Sequence, residues 1–87
     1  MRELIIGDTN RAGTLQIMDT AWDSNGTLRV TVRDMTYSGQ DQTAAMRRLA
    51  RRALQYPETI HSSRVIRRFH ADGCPYVTFA VSRLPRD

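Results

Sequence analysis

The chain contains no lysine; all 13 of its basic residues are arginine. That absence excludes the G-x-x-x-x-G-K-[ST] phosphate loop, whose lysine reaches the terminal phosphates, and no G-x-G-x-x-G occurs either. It also removes the catalytic lysine of many magnesium-dependent nucleases. There is one cysteine, Cys74, so no disulfide can close within the chain, which points to a reducing compartment. The longest apolar runs, such as Leu4-Ile5-Ile6 and Ala53-Leu54, fall far short of the roughly 20 residues of a membrane-spanning helix. No apolar segment of signal-peptide length follows Arg2, so the cytoplasm is the expected location.

Chemistry-bearing clusters are equally sparse. Cys74 and His70 flank a tight turn, and His61 is the only other histidine, so neither a zinc set nor a nucleophile–base pair is complete. Asp19, Asp23 and Asp34 lie along one hairpin, but a magnesium site needs them to converge, and strand parity argues against that. The expectation is a non-enzymatic domain with no cofactor and no metal.

What the sequence does have is polarity of charge. Positions 1–43 hold four arginines against six acids, whereas 44–87 hold nine against three, within an overall charge of +4. A basic C-terminal half favours an anionic partner. GC-rich coding sequence also replaces lysine with arginine, so the placement of the arginines carries more information than their number. The 87 residues, 40% hydrophobic and 25% charged, suit a single domain spanning 1–87.

Arg2–Gly7 reads as a short strand, and Leu15–Trp22 as a second. The second runs into Asp23-Ser24-Asn25-Gly26, where Asn-Gly is a strong hairpin signal. Beyond the turn Leu28, Val30 and Val32 alternate with Arg29, Thr31 and Arg33, the two-residue period of a half-buried strand. With Asn25 and Gly26 as the loop, or with a four-residue loop from Ser24 to Thr27, Ala21 faces Val30, Asp19 faces Val32, and Trp22 faces Arg29. Leu15, Ile17 and Ala21 then point inward, while Met18 and Trp22 lie outside with Arg29 and Arg33. Asp19 is left facing the core, which calls for a bulge or an edge position nearby.

Gly39–Tyr56 reads as a helix, with Ser38 and Asp41 spaced as a capping box and Pro57 ending it. Gly39 is a poor helix former, so the start can slide by a residue or two. Met46, Leu49, Ala50 and Ala53 fall on one side, and Arg47, Arg48, Arg51 and Arg52 on the other. Arg64–His70 and Tyr76–Leu84 form a second hairpin around Ala71-Asp72-Gly73-Cys74-Pro75, with Asp-Gly as the turn signal. Ile66 and Phe69 are three apart, so a shared face requires a bulge, placed at Arg67-Arg68. The expected fold is α+β, an antiparallel sheet of four or five strands with one helix on one face. The order is β-β-β-α-β-β, or β-β-α-β-β if the first segment does not pair.

Arg47/Arg51 and Arg48/Arg52 are like-charge i,i+4 pairs, each costing roughly 0.2–0.5 kcal/mol in an isolated helix. No glutamate within the helix offsets them. Four such arginines call for an external anion, and nucleic-acid phosphate is the leading expectation, with Arg64, Arg67 and Arg68 as extensions. Trp22 and Tyr76, interleaved with Arg29 and Arg33 on the outer sheet face, are candidate aromatic contacts. The competing expectation is an adaptor or inhibitor, of the kind a phage directs at a host factor, that docks on an acidic protein surface. A homodimer or assembly subunit joined through the sheet is the third.

Overall fold

The computed structural model describes residues 6–36, 39–54 and 60–83. These form β1 (Leu15–Trp22), β2 (Leu28–Asp34), α1 (Thr43–Arg51), β3 (Ile60–Ala71) and β4 (Cys74–Arg83). The four strands make one antiparallel sheet in the order β1-β2-β4-β3. Among the described residues the architecture is therefore α+β with element order β-β-α-β-β, the five-element form of the expectation, in place of the six-element order. Most of the expected first strand, positions 2–5, lies outside the described residues, as do Ser38, Tyr56 and Pro57. Its end touches the sheet only marginally: the Gly7 N–H donates to Ile17 at 2.7 Å, the Ile17 N–H donates to Asp8 at 2.8 Å, and Thr9 bridges to Gln16. This segment partly covers the outer edge of β1.

The first hairpin turns on a three-residue loop, neither the two nor the four residues expected. Asp23 N–H donates to the Thr27 carbonyl at 3.0 Å, while the Asp23 carboxylate accepts from the N–H groups of Asn25 and Thr27. Gly26 takes φ +80°, the left-handed position such a loop needs. The extra residue shifts the register by one: Ala21 faces Arg29, Thr20 faces Val30, and Asp19 faces Thr31. Asp19 and Ala21 thus belong to the outer face and Trp22 to the helix side, the reverse of the expected arrangement. A bulge between Ile17 and Asp19 then returns Ile17 to Val32 and Leu15 to Asp34, so Leu15 and Ile17 stay in the core. The carboxylate near the bulge reaches solvent as the alternation required, by way of the loop length. Gly26→Ala should lower stability by about 1–2 kcal/mol through left-handed strain alone, since nothing lies within 4 Å of the added carbon. Urea unfolding checks this, and an unchanged midpoint would show that the loop relaxes.

The second hairpin is tighter than expected. Ala71 pairs with Cys74 around Asp72 and Gly73, whose φ values of 52° and 79° mark the two-residue turn that Asp-Gly favours. The β3 bulge falls at Ile66, between Val65 and Arg67, one position before the expected site. It brings Phe69 opposite Tyr76 on the outer face and leaves Ile66 45% exposed on that same side.

The helix is shorter than its hydrophobic pattern implied. Gly39 has φ +72°, which is not helical. The Asp41 carboxylate then accepts from both the N–H and the hydroxyl of Thr43, at 2.9 and 2.6 Å. Helical geometry begins only at Thr43, and beyond Arg51 the chain continues as tighter turns, with Ala53 N–H donating to Ala50 and Leu54 N–H to Arg51. Nine residues are too few to be helical alone, so packing holds the element in place. Met46, Leu49, Ala50, Ala53 and Leu54 are buried against Leu15, Ile17, Leu28, Val30, Val32, Val77, Phe79 and Val81. At roughly 1.5–3 kcal/mol for each fully buried large side chain, this layer is the main source of stability.

Candidate functional site

The four helix arginines diverge instead of forming one stripe. Successive residues step by about 100°, so Arg47 and Arg51 lean to one flank and Arg48 and Arg52 to the other. On the first flank, Arg47 Nε donates to the Ser63 carbonyl at 3.0 Å, and its guanidinium lies 5.7 Å from the Phe79 ring centroid. Arg51 Nη1 donates to the Ser63 hydroxyl at 3.2 Å. These two cations are half-buried and tie the helix to β3. On the other flank Arg48 and Arg52 are exposed, and with Asn10, Ala45 and Leu49 they line a cleft of about 240 Å³ beside the N-terminal loop. The Asn10 carboxamide is already engaged: its oxygen accepts from the N–H groups of Thr14 and Leu15, and its nitrogen donates to the Thr14 hydroxyl. Among the described residues, no carboxylate contacts any of the four guanidinium groups.

The extension residues separate between the two layers. Arg68 faces the helix side, where its Nη1 donates to the Thr43 hydroxyl at 2.9 Å. The Asp41 carboxyl is held below its ordinary value of 3.8, chiefly by the Thr43 hydroxyl, then by the Thr43 N–H, with Arg68 nearby adding to the effect. A depressed carboxyl stabilises the fold above its unfolded pKa, and the contribution disappears as pH falls through the folded value. Asp41→Ala should therefore lower the melting temperature near neutral pH and converge on the parent protein in strong acid. Melts at both conditions test this, and a constant offset would assign the effect to lost packing.

Arg64 and Arg67 instead lie on the outer face with Arg29 and Arg33. Paired positions run across the sheet in three rows: Arg64–Ala80–Arg29–Ala21, Arg67–Thr78–Thr31–Asp19 and Phe69–Tyr76–Arg33–Gln16. The Thr31 and Thr78 hydroxyls bond at 2.8 Å, and Arg33 Nη2 donates to Gln16 Oε1. Arg33 Nε is buried without a hydrogen-bond partner. Phe69 and Tyr76 stack with centroids 4.8 Å apart at 16°, and the Arg67 guanidinium lies 4.5 Å from the Phe69 ring centroid. Tyr76 is thereby buried, so its ring is occupied within the fold. Trp22, half exposed on the helix side at the far end of the sheet, has the Arg83 guanidinium 5.6 Å from its ring. The two candidate aromatics therefore do not share a face. The row pattern, with arginines recurring beside small residues, was present in the sequence but invisible without the strand order.

The groups weighed for catalysis do not converge. Asp19 is on the outer face, the Asp23 carboxylate closes the turn, and Asp34 is buried on the helix side, accepting from the N–H and hydroxyl of Thr36. Cys74 is buried opposite Ala71, and His70 is paired one position on, at Pro75, so strand alternation directs the two side chains to opposite faces. Among the described residues no group of three or more His, Cys, Asp or Glu is placed to hold a metal ion, and no helix is long and apolar enough to cross a membrane. The chain matches no protein-family model, and comparison with curated proteins and with solved structures finds no match.

Proposed function

We propose that this domain is a non-enzymatic binding module that contacts duplex nucleic-acid phosphates through Arg47, Arg48, Arg51 and Arg52. The observation that carries the reading is the lack of any carboxylate on these four guanidinium groups among the described residues. Arginine without an internal counter-ion is a ready donor to phosphate oxygens. The divergence into two flanks strengthens the reading. A helix about 10–12 Å across fits a major groove about 12 Å wide, and paired cations on its two flanks can then reach the backbones on either side.

Arg47 and Arg51 keep spare N–H groups beyond their bonds to Ser63, so anchoring to β3 orients them without using them up. Arg68 adds a further cation at the start of the helix, partly offset by Asp41. Contacts of this kind position a protein on a backbone and do not select a base sequence. Titration of a labelled duplex at low and moderate salt tests the reading; no binding at low salt would remove it.

A further inference from the structure

We propose that the outer face of the sheet is a separate binding site for single-stranded nucleic acid, held through its phosphates. No described element packs on this face. Down its middle run the small residues Thr78 and Ala80 of β4, with Thr31 beside Thr78 and Ala21 beyond Arg29. Arg29 stands on one side of Ala80 and Arg64 on the other, Arg67 lies one row along, and Asp19 is the only described acid among them. The resulting trough has a volume of about 320 Å³ and is lined by Asp19, Ala21, Arg29, Thr31, Ile66, Arg67 and Thr78.

Dimensions decide which polyanion fits. Four strands spaced about 4.8 Å apart span roughly 14 Å before side chains are added, too wide to enter a major groove of about 12 Å. A trough with a small-residue floor and cationic walls admits a single extended chain. An acidic protein surface would draw its anchors from exposed aromatics as well as from arginine. Here Tyr76 is buried in its stack with Phe69, which also lies beside Arg67. The same occupation of the rings means that bases gain no stacking platform. Binding is therefore electrostatic, indifferent to sequence and steeply salt-dependent. This site does not depend on the helix reading, because it uses different residues on the opposite layer.

The test is fluorescence anisotropy with a labelled oligo(dT) of about 12 nucleotides. Three full-length proteins are compared: the parent, R29S/R64S and R48S/R52S. All four substituted side chains are exposed, so each variant should fold, which circular dichroism verifies. The two variants lose equal charge. R29S/R64S should weaken oligo(dT) binding by about tenfold or more and R48S/R52S by clearly less, with R29K/R64K restoring most of the loss. Three phosphate contacts, from Arg29, Arg64 and Arg67, predict a slope of log affinity against log salt of about −2.1 for the parent. Equal weakening in both serine variants, no binding by the parent at low salt, or tighter binding to polyglutamate than to oligo(dT) would each overturn the proposal. Loss of duplex binding alone would overturn only the helix reading.

Discussion

Phe79→Ala should destabilise the protein by about 3–5 kcal/mol, the usual cost of emptying a buried phenylalanine site. A chain of 87 residues has a total stability on the order of 5–10 kcal/mol, so the variant should be substantially unfolded in mild denaturant. Phe79 is fully buried in β4 and faces Val30 on one side and Val65 on the other. Both neighbours are strand residues that cannot collapse into the space without breaking the ladder. The cavity would also remove the ring next to Arg47, leaving that cation over a void. Phe69→Ala is the matched comparison. It removes the same ring from the outer face, where the stack on Tyr76 and half-burial are lost, and should cost roughly 1–2 kcal/mol. Urea midpoints of the two variants measure the difference. Similar costs would mean that the core is not concentrated between α1 and the centre of the sheet.

The elements that place Phe79 were legible because local chemistry dictates them. Strict alternation of Val77, Phe79 and Val81 with Thr78 and Ala80 identified a strand and its inward face, and β4 adopts both. Asp72-Gly73 named its own turn, since both residues tolerate positive φ. Register was harder. Asn25-Gly26 reads as a two-residue loop, but the Asp23 carboxylate accepts from the N–H groups of both Asn25 and Thr27 and so stabilises a wider turn. One residue of difference turns Trp22 toward the helix and Asp19 toward solvent. The helix ends were obscured for a similar reason: the carboxylate of Asp41 captures Thr43 before helical geometry can extend backward. Strand order was not legible at all, because β2 and β4 pair across a connection that carries no local signal.

The candidate site divides along the same line. Periodicity found the helix arginines, and all four lie away from the Met46, Leu49 and Ala50 face. It could not show that Arg47 and Arg51 reach Ser63, since that contact depends on where β3 runs. Arg64, Arg67 and Arg68 looked continuous in sequence, but alternation and the Ile66 bulge send Arg68 to one layer and Arg64 and Arg67 to the other. A basic run thus serves two surfaces.

R48S/R52S should weaken duplex binding more than any other pair of exposed substitutions. These two arginines are the solvent-facing members of the helix set and, among the described residues, have no side-chain partner that competes with phosphate. Their removal deletes one entire flank of the helix while leaving Arg47 and Arg51 on Ser63, so the fold should be undisturbed. At about 100 mM salt the expected loss is about tenfold or more. R48K/R52K should retain more of the binding than R48S/R52S, because lysine keeps the positive charge although it lacks the fork.

The salt dependence of duplex binding tests the central claim most directly. Four helix arginines that each displace a counter-ion predict a slope of log affinity against log salt near −3.6 for the parent, falling to about −1.8 in R48S/R52S. The parent should then lose roughly a hundredfold in affinity between about 50 and 200 mM salt. A slope near zero, or the same slope in both proteins, would contradict it.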